Sequence, residues 1–251
     1  MSSAVSDNGA ENEKKRIIED ITKSGLPCEI DVSAKLRSTG WIVINQEAYL
    51  DEDTRDIRYI DMYACKHVRK LPQIILTIEC CKSDKPWVFY GSWKRWSNPT
   101  ITPHFLPEKL PPEKIFFDIA PCSHQTKKDV FEGTIPYEPF KKGKNIDIFD
   151  ASMKAVKALR YEWTQLKKFD KKYKQNFIRI FYPTIVFDGH LYCLIVRKGK
   201  IIPSKTKYIR YFISYKERNF LIDVVTRDGF DNYLALFNEE YNALRQILSA
   251  Q

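Results

Sequence analysis

Three consecutive segments in which apolar and polar residues alternate constrain the fold of this chain more than any other feature of its sequence. They read WIVINQEAYLD, RDIRYIDMYAC and QIILTIECC, and all are rich in β-branched and aromatic residues. A period of two residues is typical of β-strands, because successive side chains point to opposite faces of a sheet. The connections between the segments are short, so we predict a three-stranded meander.

Helical patterns are predicted on both sides of this meander. We predict a short helix at residues 13–23 and a second at about 29–36, with Gly25 and Pro27 marking the turn between them. Apolar residues recur every three to four positions through residues 150–168, which indicates a long amphipathic helix. The predicted core is therefore helix, meander and helix, followed by a strand.

The rest of the chain is predicted from composition and from strand patterns. Residues 1–13 are polar and are expected to form a disordered tail, which leaves 14–251 as a single α/β domain. Residues 91–148 are rich in proline and are predicted to be an insertion. FIRIFYPTIVF, LYCLIV, KYIRYFIS and FLIDVVT are predicted strands of a C-terminal extension that ends in a helix at 230–248. The DGH sequence between the first two of these strands is typical of a hairpin turn.

Charge and hydropathy limit the binding partners and the cellular location that we expect for the protein. The chain has 41 Lys and Arg residues against 32 Asp and Glu residues, and the resulting formal charge of +9 attracts polyanions such as nucleic acid. No apolar run has the length of roughly eighteen residues that a membrane span needs. The first residues also lack the apolar centre of a secretory signal. We therefore expect a cytoplasmic protein with reduced cysteines and no membrane partner, for which a homodimer is one allowed assembly.

Two of the three meander strands carry an acidic residue in an apolar setting: Asp61 on the second and Glu79 on the third. A buried carboxylate is costly unless it is paired, hydrogen-bonded or bound to a cation. A divalent cation such as Mg²⁺ is one suitable partner, and it could polarise a phosphate and activate a water molecule. Plain ion pairs are the alternative, and they would join Asp61 to Arg58, Lys66 or Arg69, and Glu79 to Lys82.

The run SGLPCEIDVSAKLRSTGWIV, followed by RYIDMYA and ILTIECCKSDKPWVFY, resembles the PD-(D/E)xK nuclease superfamily, which has the restriction-endonuclease-like fold. In its bacterial and archaeal members, a helix with an acidic residue precedes an Asp strand and a Glu-x-Lys strand. The resemblance covers about residues 24–90, and the order of several motif positions together is its specific part. It implies a Mg²⁺- or Mn²⁺-dependent endonuclease, a hydrolase that cleaves phosphodiester bonds of DNA.

Carried over position by position, the resemblance assigns a catalytic site. It makes Asp61 and Glu79 the metal ligands, with the backbone carbonyl of Cys80 as a further ligand. Glu29 matches the acidic residue of the family's first helix, which holds or orients the water bound to the metal. These four residues define the metal-binding part of the expected site.

The motif lysine is displaced in this chain. It should follow Glu79 by two residues, where the sequence has Cys81, and a cysteine cannot supply a fixed positive charge to a phosphoryl transition state. We expect Lys82 to replace it, provided that a bulge turns its side chain inward. Lys154 or Lys157 on the long helix is the other replacement. The alternative function is a catalytically inactive nuclease-fold module that binds nucleic acid or protein.

The segment PWVFYGSWKRW combines aromatic and basic residues beside the expected site. Aromatic faces can stack on bases while cations contact phosphates. We assign nucleic-acid binding to Lys85, Trp93, Lys94 and Arg95, whereas Trp87 and Phe89 could simply belong to the core. Zinc binding by Cys65-x-His67 and Cys122-x-His124, and a Cys81–His67 hydrolase, are further alternatives, but the spacing of a zinc knuckle is missing.

Overall fold

The computed structural model describes residues 6–66, 73–94, 130–137, 147–173, 179–216 and 218–238, together with Pro139. These residues form a mixed α/β fold in which ten strands follow one another in a continuous hydrogen-bonded order, β1-β2-β3-β6-β10-β9-β5-β4-β7-β8. A search of the described helices finds no apolar stretch of membrane-spanning length.

The elements have the following bounds. The helices are α1 (Ser6–Lys23), α2 (Leu26–Ser38), α3 (Asp147–Tyr173) and α4 (230–238), and a short 3-10 turn, Arg227–Gly229, leads into α4. The strands are β1 (Ile42–Leu50), β2 (Ile57–Lys66), β3 (Gln73–Lys82), β4 (Trp87–Lys94), β5 (Val130–Tyr137), β6 (Arg179–Asp188), β7 (Leu191–Arg197), β8 (Lys200–Thr206), β9 (Tyr208–Tyr215) and β10 (Arg218–Thr226).

The first helix starts earlier than predicted. Residues 6–13 belong to α1, where the polar composition had predicted a disordered tail. Ala10 and the charged residues after it are good helix formers, and Glu11 and Lys15 have the i, i+4 spacing that supports an isolated helix. The predicted C-terminal helix begins at residue 230, as expected, and its residues after 238 lie outside the described part of the chain.

The predicted meander is confirmed, because β2 pairs antiparallel with both β1 and β3. On the other side of β3 the sheet continues with β6, which runs parallel to it over the whole of both strands, and then with β10, which runs parallel to β6. Helix α3 is the connection that precedes β6. The predicted insertion contains regular structure, because β5 lies within it and pairs with β4 and β9.

The turn between β6 and β7 is not a hairpin, so that prediction was wrong. β6 pairs with β3 and β10, whereas β7 pairs with β4 and β8. The segment between β3 and β4 bends together with the segment between β6 and β7, and we call this bend the corner. Two hydrogen bonds join the segments there, from Ser83 N to Asp188 O and from Trp87 N to His190 O. A Cβ on Gly189 would lie 2.7 Å from Ser83 O, so only glycine permits this close approach.

Helices cover both faces of the sheet, and two main cores result. One core joins α2 and α4 to the first strands; its buried members include Cys28, Val32, Leu36, Met62, Ile78, Tyr182, Phe230 and Phe237. The other joins α3 to the opposite face; its buried members include Ile75, Phe89, Ala151, Val156, Leu159, Phe181 and Ile185. The acidic residues predicted to form the site lie between these two layers.

Candidate active site

Strand β2 loses its regular pairing with both neighbours at Asp61. In the register with β1, Asp61 falls opposite Gln46, and these two residues are skipped in an otherwise continuous series of paired residues. The ladder with β3 ends at Met62 and Ile78, although β3 itself continues to Lys82. The strands therefore separate where the acidic residue stands.

The buried face of β2 also changes sides at this point. Ile60 packs with Tyr49 and Ala155 on the α3 side, whereas Met62 belongs to the core beneath α2. In a regular strand Ile60 and Met62 would share one face, so the chain turns about its axis at Asp61. The Asp61 carboxylate enters the gap that results and accepts a hydrogen bond from the backbone N–H of Cys80, at 2.7 Å.

Glu79 lies on the next strand and faces α3. It is 4% exposed, and its Oε1 atom lies 2.5 Å from Nζ of Lys154 on α3. Its Oε2 atom is buried and accepts no hydrogen bond from any described residue. The hydroxyl of Thr77, on the same face of β3, donates to the carbonyl of Ala155 at 3.1 Å and so fixes α3 beside the strand. The lysine is therefore positioned by the packing of the helix.

Gln46 links the third acidic residue to this pair. Its side-chain amide donates to Oε2 of Glu29, in the first turn of α2, at 2.9 Å, and it also hydrogen-bonds Asp61. The backbone of Gln46 has φ +53°, a left-handed conformation that costs about 1–2 kcal/mol for a residue with a Cβ. Strain of this kind is concentrated at functional sites.

The acidic residues hold their protons more tightly than isolated carboxyls do. Burial, and then the charge of Asp61, raises the pKa of Glu79 to about 7. Burial also raises the pKa of Asp61, against the opposing effects of the Cys80 N–H and Lys154, and burial together with Asp61 raises the pKa of Glu29. Burial alone would lower the pKa of Lys154, but Glu79 outweighs it and the net change is upward. Because these carboxyl groups are costly to ionise together, a further positive charge, a proton or a cation, stabilises the cluster.

Lys154, rather than Lys82, supplies the cation at these acids. β3 and β6 stay in register up to Lys82, so no bulge turns the Lys82 side chain inward, and its amine donates to the carbonyl of Thr22 at 2.7 Å. Lys154 is close enough to Glu79 and Cys81 to interact electrostatically with both. It therefore reaches the neighbourhood of the expected motif lysine from a different element. Burial raises the pKa of the Cys81 thiol well above its usual value, so Cys81 stays protonated.

Among the described residues, the cations considered as ion-pair partners of Asp61 have other partners. Arg58 contacts Asp51 at 3.1 Å, and Lys157 lies 3.0 Å from the same buried carboxylate. Lys66 donates to the carbonyl of Thr39 at 3.2 Å. Arg69 lies outside the described residues, as do His67, Cys122 and His124 of the zinc and thiol alternatives.

The aromatic segment belongs largely to the core in its first half. Trp87 and Phe89 are buried, and the Trp87 ring stacks on Phe187 with the ring centroids 4.0 Å apart. Lys85 is exposed in the turn before β4. Trp93 and Lys94 end β4, but their side chains are not among those described, and Arg95 lies outside the described residues. The expected nucleic-acid contacts therefore stay predictions.

The described residues contain no group of three His, Cys, Asp or Glu side chains arranged to hold a metal ion. The donors that are present nevertheless fit a hard divalent cation. Asp61 and Glu79 lie just beyond the last pair of the β2–β3 ladder, Met62 and Ile78, and Glu79 Oε2 is buried without a partner among the described residues. Mg²⁺ prefers carboxylate oxygens and keeps several of its waters, so two protein carboxylates suffice.

Sequence reasoning missed Gln46, although the sequence holds a signal for it. The run Asn45, Gln46, Glu47 places three polar residues in succession inside an alternating strand, and such a break indicates an irregular backbone. Comparison of the chain with protein-family models, with curated proteins and with solved structures found no significant match. A functional conclusion therefore rests on how five side chains are arranged: Glu29, Gln46, Asp61, Glu79 and Lys154.

Proposed function

We propose that this chain is a divalent-metal-dependent nuclease of the restriction-endonuclease-like type that hydrolyses phosphodiester bonds of DNA. The observation that carries the proposal is the meeting of Asp61 and Glu79, from adjacent strands, with Lys154 from α3. The sheet order gives further support. An antiparallel β1-β2-β3 meander followed by a helix and by β6, parallel to β3, agrees with the order that the family resemblance implies.

In this proposal Asp61 and Glu79 hold the cation, which supplies a polarised phosphate and an activated water when it is bound. Lys154 is 45% exposed, so its amine can contact a phosphate from the solvent side while it remains hydrogen-bonded to Glu79. A fixed positive charge there stabilises the charge that develops on the phosphoryl oxygens. Gln46 holds Glu29 and Asp61 in place and so keeps the acidic side chains oriented.

A plasmid-nicking assay with Mg²⁺ or Mn²⁺ tests the proposal. Asp61→Asn, Glu79→Gln and Lys154→Met should each lower cleavage by about 10²-fold or more, because each removes a charge that acts at the transition state. Lys82→Met is the matched control, since that amine donates to Thr22 O, away from the acids, and it should cleave like the wild type. Equal activity in all variants, or no cleavage by the wild type with either metal, would contradict the proposal.

One observation favours the inactive binding module as the second candidate. Cys81 stands at the motif lysine, and the described residues lack a ready three-ligand metal group. This candidate predicts DNA binding that weakens with salt and is not followed by cleavage. A Cys81→Lys variant separates the two, because cleavage that appears only in this variant would favour the inactive module over catalysis by Lys154.

A further inference from the structure

Beyond Lys154, two exposed cations of α3, Lys168 and Lys172, lie near the angular position of Lys154 on the helix. Each residue of an α-helix advances the side chain by about 100°, so Lys172, 18 residues further on, has the same angular position as Lys154 after about five turns. Lys168 lies within about 40° of that line. Tyr161 and Gln165 are the uncharged residues between them. Tyr161 is half-buried and packs against Tyr49 and Ile60, so this line, which we call the stripe, has exposed cations at its two ends only: at Lys154 beside the candidate site and at the C-terminal turns of the helix.

Four lysines surround the end of this stripe, and we call them the basic end: Lys167, Lys168, Lys171 and Lys172. All four are exposed, and none forms an ion pair with a described residue. The two acidic residues of this part of α3 have other partners. Glu162 is half-buried and hydrogen-bonded to Tyr63, and Asp170 is bound by Arg179, with Nη2 2.9 Å from Oδ1. Within the described part of the chain, the basic end is therefore a concentration of positive charge with no acidic partner.

The middle of α3 is fixed to the sheet. Lys157 contacts Asp51 at 3.0 Å and Asp53 at 2.8 Å, and Arg160 contacts Glu52 at 3.2 Å, all in the turn between β1 and β2. These cations are used internally and are not available to a ligand. The helix consequently acts as a rigid spacer. At 1.5 Å per residue, Lys168 and Lys172 lie about 21 and about 27 Å from Lys154.

We infer that the basic end binds the phosphodiester backbone of the same nucleic acid whose phosphate is cleaved beside Lys154. The inference rests on the proposed function. Phosphates succeed one another at about 3.4 Å along the axis of a duplex strand, so the spacer corresponds to about six to eight base pairs on one side of the cleaved bond. Exposed lysines that form no ion pair with a described residue are suited to this contact, because each phosphate that they neutralise releases condensed counterions.

Binding measured without metal tests the inference independently of cleavage. The probes are duplexes with a fixed short side and a second side lengthened stepwise from four to twelve base pairs, together with single strands of equal length. For the wild type, the affinity for duplexes should rise once the long side reaches about six to eight base pairs. In Lys168→Gln/Lys172→Gln this step should disappear, and the slope of log Kobs against log salt should fall by up to about 2, at about 0.9 per phosphate contact.

The matched control is Lys198→Gln/Lys200→Gln, which removes the same charge from two exposed positions, the turn after β7 and the first residue of β8. It should keep both the length step and the salt slope. The inference would be overturned if the two double variants had equal salt slopes. It would also be overturned if the rise in affinity at six to eight positions occurred with single strands and not with duplexes. If the wild type cleaves but the slopes are equal, only this inference fails. If it binds with the expected step but never cleaves, only the nuclease proposal fails.

Discussion

The Glu79→Gln substitution tests the electrostatics of the candidate site through stability rather than through activity. Gln keeps the shape of the side chain but cannot ionise. In the folded wild type, burial and the charge of Asp61 raise the pKa of Glu79 from its ordinary 4.5 to about 7. Between these two pH values the folded protein retains a proton that the unfolded chain has released, so folding is linked to pH at this residue.

The size of the effect follows from the shift. One pKa unit corresponds to about 1.4 kcal/mol, so the change from 4.5 to about 7 amounts to about 3 kcal/mol. Because the folded state binds more protons, this stabilisation is fully present below about pH 4.5 and is lost as the pH rises through about 7. The Glu79→Gln variant has no such loss. The free energy of unfolding of the variant, relative to that of the wild type, should therefore be about 3 kcal/mol higher at pH 8 than at pH 4.5.

Urea denaturation followed by tryptophan fluorescence, at pH values from 4.5 to 8 and without divalent metal, measures this difference. Glu19→Gln, at an exposed position of α1, serves as the control. The difference between its free energy of unfolding and that of the wild type should be the same at every pH. The reasoning would be refuted if the free energies of unfolding of Glu79→Gln and the wild type differed by the same amount at every pH. It would also be refuted if the wild type became more stable relative to the variant as the pH rises. Mg²⁺ at pH 8 should stabilise the wild type, by about 2.7 kcal/mol at 100 times its Kd, but not the variant.

Two further substitutions test the scaffold. Gly189→Ala should lower the free energy of unfolding by roughly 2 kcal/mol, because the new Cβ would lie 2.7 Å from Ser83 O; an unchanged urea midpoint would contradict the corner geometry. Asp51→Ala should cost about 2–3 kcal/mol, because Lys157 loses its buried partner but keeps Asp53 at 2.8 Å, and Asp56→Ala, at an exposed position of the same turn, should cost much less.

The sequence predicted the parts of the fold that depend on local patterns. Alternation located β1, β2 and β3 and placed Asp61 and Glu79 on neighbouring strands, because the short connections leave few other ways to pair them. The corner at Gly189 shows the limit of this reasoning. Its sequence has the residues of a hairpin turn, but the parallel pairing of β6 with β3, about a hundred residues away in the chain, decides the structure.

The position of the lysine could not be predicted from spacing along the chain. Lys82 is close to Glu79 in sequence, but alternation along β3 keeps the two side chains on opposite faces, and no bulge intervenes. Lys154 reaches Glu79 only because α3 has a particular rotation and height above the sheet. Those two quantities depend on the Thr77 hydrogen bond to Ala155 and on long-range packing, which a single sequence does not reveal.

A lysine supplied by a helix makes the site depend on how that helix is held. A lysine on β3 would move with Glu79, because both would belong to one strand. Lys154 instead moves with α3, which the ion pair between Lys157 and Asp51 fixes to the turn after β1. Loss of Asp51 should therefore lower cleavage by more than the fraction of unfolded protein explains. Gly189→Ala disturbs the corner after β3 and leaves the ion pair between Lys157 and Asp51 in place, so cleavage by its folded fraction should stay at the wild-type level.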